Sequence, residues 1–227
     1  MGSATWPLTV HIVKTYDLLM VDAAHVRRTA AACTTFLNDR RDADWTTAAP
    51  DLDMSVVEIV AHIAETCLWY AIDLAAGGEE LDCVEHRVEV DGDPSGIVET
   101  FRTYAEVVAA VIEAAPASSR GFHPMGRADP SGFAAMACDE MLIHTDDAAR
   151  ALGVTFDPAP DLAEPVLRRL FPWITDVADP WSRLRWANGR IAFDGQQRLS
   201  GWAWHCAPIT DWDGTVAVHP RPGIEPD

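Results

Sequence analysis

The chain has almost no lysine. Lys14 stands alone against sixteen arginines, and 35 acidic residues leave a formal charge of −18. No basic run exists to follow a phosphate backbone: Arg27-Arg28, Arg40-Arg41 and Arg168-Arg169 are short pairs among acidic or apolar neighbours. Such a surface repels a polyanion, so nucleic acid is excluded as an expected partner. Cysteine is also scarce. Cys33, Cys67, Cys83, Cys138 and Cys206 are odd in number, widely spaced and free of any C-x-x-C pair. That excludes a disulfide framework and points to a reducing cytoplasm. No basic segment followed by an apolar run opens the chain, so no secretory signal is expected. Met1-Gly2 lacks the Ser or Thr that myristoylation wants, since Trp6 occupies its place. No apolar run approaches the ~20 residues that cross a bilayer, so no membrane is expected. Internal repeats and low-complexity tracts are missing too.

What remains is an ordinary globular composition. The 227 residues are 48% hydrophobic and 23% charged, enough for one good-sized core and a small appendage. Helical periodicity runs from about Leu18 to Leu37. Ser55-Val56-Val57-Glu58 is a capping box that opens a second helix, predicted to reach Ala75 before Gly77-Gly78 stops it. A third helix follows Ser95 and ends before Pro116. A fourth spans from near Ser131 to Gly153, with Phe133, Met136, Glu140, Ile143, His144 and Asp147 on its inward face. Asp82 to Gly92 reads as an acidic loop, and Ser118 to Pro130 as a loop that leaves His123 exposed.

Beyond Gly153 the pattern changes. A short helix is predicted over Glu164 to Trp173. Asn188-Gly189 is a hairpin-type turn signal, and Leu199 to Pro208 alternates like a strand with Trp202 and Trp204 on one face. The expected fold is mainly α: a four-helix bundle over residues 1–153, with a C-terminal extension over residues 154–227 that packs on it and contains a short helix and a candidate β-hairpin.

Glu140 and His144 are four residues apart and therefore share one helical face. His62 lies at the edge of the second helix's apolar stripe. Polar side chains turned toward a core cost several kcal/mol unless paired or bound. Two neutral imidazoles and an ionised carboxylate suit zinc, or another divalent metal, and three protein ligands leave a coordination position open. The bland alternative is an i,i+4 ion pair beside a core histidine bonded to a carbonyl. Several other residues invite weighing. His205 with Cys206 is a further candidate ligand pair. Arg183, Arg185, Arg190 and Arg198 are candidates to hold an anionic substrate if the tail folds over the site, and ordinary ion pairs otherwise. Trp202 and Trp204 suit packing better than a pocket wall. Cys67 and Cys138 read as core.

Ser55-Val56-Val57-Glu58-Ile59-Val60-Ala61-His62 resembles the second-helix signature of the DinB-like metalloproteins. The branch is the one that contains mycothiol-dependent maleylpyruvate isomerases and mycothiol S-transferases. Glu140 through Gly153 resembles that branch's fourth-helix signature, and the likeness spans about residues 10–153. It implies metal ligands at His62, Glu140 and His144, with Asp147 as an acidic partner orienting His144. It also implies a low-molecular-weight thiol, mycothiol, as cosubstrate, which attacks a small-molecule electrophile in a transferase or isomerase reaction. Two departures stand out: Asp146 replaces a common Trp, and residues 154–227 do not follow the C-terminal domain of the isomerases. A metal-dependent hydrolase using the same open position, and a non-enzymatic helical binding protein with a structural ion, are the other readings. The oligomeric state is left open.

Overall fold

A computed structural model describes residues 20–218. Six α-helices occupy the described residues: α1 Ala23–Asn38, α2 Val56–Ala76, α3 Pro94–Ala114, α4 Pro130–Ala151, α5 Pro160–Leu170 and α6 Pro180–Ala187. A 3-10 turn follows at Ile209–Asp211. The fold is mainly helical, as expected. Leu18 and Leu19, assigned to the first helix by periodicity, lie outside the described residues; α1 itself begins after Asp22, whose carboxylate caps the His25 N–H at 2.8 Å. The Ser55 capping box is present, with the Glu58 carboxylate accepting from the Ser55 backbone N–H at 2.7 Å.

The first four helices pack in a ring, α1 on α3, α3 on α2, α2 on α4 and α4 on α1. Val26, Ile59, Ile63, Phe101, Phe133 and Met136 fill the space between them, all fully buried. At 21 residues, α2 is by length and composition long and apolar enough to cross a membrane. This corrects the expectation that no segment qualifies. Half of it is packed inside the bundle, and it carries His62 along with Glu58, Glu65 and Asp73.

α4 departs from the amphipathic pattern read for it. Every residue from Ser131 to Ala149 is buried except Glu140 and His144. The cause is the chain beyond residue 153, which covers the side of α4 that a bare bundle would show to water. α5 packs on α4, and α6 packs on α5.

No β-strand exists among the described residues, so the candidate hairpin is not formed. Asn188-Gly189 closes a helix instead. Gly189 has φ 63°, and the Arg190 N–H returns to the Arg185 carbonyl at 2.8 Å, the left-handed C-terminal cap of α6. Asn-Gly supplies positive φ equally well for a tight hairpin or a helix end, and the Asp179-Pro180 start upstream decides for the helix. The short helix predicted over Glu164 to Trp173 begins earlier, at Pro160, and ends at Leu170. Leu199 to Pro208 is irregular, touching Val218 only through an isolated bridge at Trp202.

Candidate metal centre

α2 and α4 bring the three expected ligands together. His144 Nε2 lies 3.1 Å from Glu140 Oε2, and His62 Nε2 lies 3.6 Å from the same oxygen. One donor atom from each of the three falls within 4.8 Å of the others. The imidazoles of His62 and His144 meet edge to face, with centroids 5.0 Å apart. The site is reached from one side: the His62 side chain is 40% exposed, those of His144 and Glu140 14% and 12%.

The carboxylate is held charged. Burial alone would raise the Glu140 carboxyl, but the nearby His144 and His62 imidazoles outweigh it and hold it far below the usual range. Its Oε2 nevertheless has no well-aligned hydrogen-bond partner, although it is buried. Tyr70, eight residues past His62 on α2, approaches the other oxygen, its hydroxyl 3.5 Å from Oε1. A buried, charged oxygen facing two imidazole nitrogens without proper hydrogen bonds fits a divalent ion, and the two-nitrogen, one-carboxylate donor set suits zinc.

Asp147 lies beside the imidazole that the family resemblance implied it would orient. Its Oδ2 is 3.1 Å from His144 Nδ1, within hydrogen-bond distance though poorly aligned. Burial would lower the His144 pKa, but Asp147 and Glu140 on its two sides push it up to about 9. Asp147 is itself fully buried, and Arg190 forks onto it with contacts of 2.9 to 3.0 Å.

The tail does fold against α4, but its four candidate anion binders all end on carboxylates. Arg183 reaches Asp176 at 2.7 Å, Arg185 reaches Asp146 at 3.0 Å, Arg190 holds Asp147, and Arg198 reaches Asp51 at 2.8 Å. His205 and Cys206 do not join the centre: the His205 ring contacts the Pro208 carbonyl at 3.2 Å, and Cys206 is buried against the Gly126 carbonyl. Trp204 is a packing residue whose indole N–H donates to Asp139 at 3.1 Å. Cys67 and Cys138 are buried, and burial pushes both thiols up.

His123 is a correction. It is half-buried, not exposed, its ring 5.8 Å from Tyr70 and 5.9 Å from Trp204. The Met125 N–H donates to its Nδ1 at 3.2 Å, and burial lowers its pKa to about 4 despite the pull of Glu140. A turn-rich loop gave no periodicity from which this could be read. No local pattern sets Tyr70 apart from the apolar positions of α2, and Arg190 is one of the four tail arginines weighed above.

A sequence profile described as the mycothiol maleylpyruvate isomerase N-terminal domain matches residues 26–149, a span that contains His62, Glu140, His144 and Asp147. No curated protein and no solved structure matches the chain.

Proposed function

The chain belongs to the mycothiol maleylpyruvate isomerase N-terminal domain family, a DinB-like family, and from that premise we propose that it is a metal-dependent thiol transferase or isomerase. The low-molecular-weight thiol is mycothiol, and the other substrate is an electrophilic small molecule. The observation that carries the reading is the window on α4: of nineteen consecutive positions, only Glu140 and His144 escape full burial, and both face His62.

His62 and His144 offer imidazole nitrogens and Glu140 a carboxylate, a set that leaves a position open for a guest atom. A zinc ion held there supplies the Lewis acidity that lowers a thiol's pKa from its free value of ~8.5. The chain's own residues do the rest. Asp147 accepts from the Nδ1–H of His144, so that the proton stays on Nδ1 and Nε2 is left for the ion. Tyr70 borders Glu140 and steadies the carboxylate. The thiol loses its proton to solvent, and its sulfur forms a bond to the electrophilic carbon. In transfer, a leaving group departs with the bonding pair. In isomerisation, the double bond opens, rotates and re-forms as the thiol leaves. Five free thiols accord with the reducing cytoplasm in which such a cosubstrate is kept.

The test has two parts. Protein purified without chelator is expected to carry one equivalent of metal by elemental mass spectrometry, and His62→Ala or Glu140→Gln is expected to remove it. Protein without metal, its fold unaltered by both changes, would make it a binding module. Incubation of a reactive electrophile with mycothiol, followed by mass, is then expected to give a thioether or a thiol-dependent isomer. Equal product without any thiol would replace transfer by hydrolysis.

A further inference from the structure

Three carboxylates of α4 lie beside the candidate ligands in sequence, and each is met by a donor from beyond residue 153. Asp139 accepts from Asn188 at 2.9 Å and from the Trp204 indole at 3.1 Å. Asp146 accepts from Arg185 Nε at 3.0 Å. Asp147 accepts from Arg190, with Nε 3.0 Å from both oxygens and Nη2 2.9 Å from Oδ2. Only Asp147 also touches a candidate ligand, so its Oδ2 stands between the Arg190 guanidinium and the His144 imidazole.

The guanidinium is itself fixed. Gly189 turns the chain out of α6 with φ 63°, and a Cβ there would meet the Leu199 carbonyl oxygen at 2.6 Å. The Arg190 N–H is tied to the Arg185 carbonyl, and its Nη1 returns to the Asn188 carbonyl at 3.0 Å. A carboxylate gripped at both oxygens by a planar fork cannot rotate about its own axis. The other cation near Asp147, Arg150 Nη1, stands at 3.5 Å and does not make that grip.

We infer that Arg190 is a positioning residue for the metal centre: it locks the Asp147 carboxylate in the orientation that aims His144, so the C-terminal extension sets how tightly the bundle holds its ion. The inference rests on the metal-binding reading above. Outer partners of a ligating imidazole typically change metal affinity ~10- to 100-fold when removed.

The experiment strips the full-length protein with chelator and titrates zinc back against a chromophoric competitor. Arg190→Met leaves Asp147 in place but unclamped, and is expected to weaken zinc binding ~10-fold, the low end of the range for removing such a partner outright. Arg190→Lys keeps the charge without the fork and is expected to recover only part of the loss. Arg185→Met cuts a similar pair in the same segment, on Asp146 rather than on the carboxylate beside His144, and is expected to leave zinc affinity within about twofold. A merely structural arginine would act by loosening the extension, so equal losses for Arg185→Met and Arg190→Met overturn the inference, as does unchanged affinity in Arg190→Met. Should Arg190→Met fail to fold, Arg190→Lys takes its place beside Arg185→Met, and equal losses or an unchanged affinity count against the inference in the same way. An unaltered protein that takes up no zinc overturns this and the metal reading together; one that binds zinc while the Arg190 variants match it overturns this alone.

Discussion

His144 sits between two carboxylates, and that arrangement links metal, proton and stability. Without metal its pKa is raised to about 9, above an unfolded value of 6.5. The folded state therefore binds the extra proton between those values, and the stability it brings is complete below pH 6.5 and lost as pH rises through 9. Metal binding has the opposite sign, since Nε2 must shed its proton to become a ligand. We expect the melting temperature of the stripped protein to fall between pH 6.5 and 9 while zinc affinity rises over the same range. Calorimetry in buffers of different ionisation enthalpy is expected to record about one proton released per zinc at pH 7. A metal affinity flat across that window would contradict the arrangement. His123 works the other way. Burial lowers it to about 4, so the neutral ring is favoured in the fold, and its contribution, full above pH 6.5, is lost as pH falls toward 4. His123→Asn is expected to flatten the acid limb of a urea-midpoint profile relative to the unaltered chain.

Among elements, α4 is the one whose surroundings decide everything, and Gly132 shows how closely they fit. A Cβ there would stand 2.2 Å from the Cys206 carbonyl oxygen and 3.0 Å from Arg169 Nη2. Alanine favours a helix over glycine by ~1 kcal/mol, but overpacking of this kind costs about 1–3 kcal/mol. The clash is with backbone, which puts the cost at the upper end, so Gly132→Ala is expected to lower stability by up to ~2 kcal/mol in urea unfolding, against its helix propensity. The same helix marks where sequence reading succeeds and where it stops. Glu140, His144 and His62 were legible because an i,i+4 pair of polar groups on an apolar stripe is a local pattern, and the bundle helices were legible from periodicity and the Ser55 cap. The burial of α4 on its other side was not, because Asp139, Asp146 and Asp147 acquire their donors from residues 39 to 65 positions away. α6 could have been found: Asp179-Pro180 repeats the Asp-Pro starts at Asp93 and Asp129. The Asn188-Gly189 signal drew the reading toward a hairpin because both structures need the same positive φ.

At the scale of the molecule, the family match ends at residue 149, yet the physical unit does not. Arg169 on α5 is fully buried and joins the two parts. It donates to Asp129, the N-cap of α4, at 2.7 Å, and to the carbonyls of His205, Cys206 and Ala207 at 2.9 to 3.2 Å. A guanidinium so enclosed is tolerable only because every one of these acceptors is present. Near the other end of α4, Arg185 and Arg190 neutralise two buried aspartates. A chain stopped after Gly153 would lose all of these donors at once. Asp139, Asp146 and Asp147 would regain water only by uncovering the apolar side chains around them, and an exposed apolar face of that size promotes association. We propose that residues 154–218 are an integral part of the fold, and expect the fragment ending at Gly153 to be insoluble, or to keep helical circular dichroism while binding a hydrophobic dye and melting without a sharp transition. A fragment that melts cooperatively and binds zinc as the full chain does would show that the bundle is complete without its cover, and that the Arg190 grip on Asp147 is dispensable to the centre.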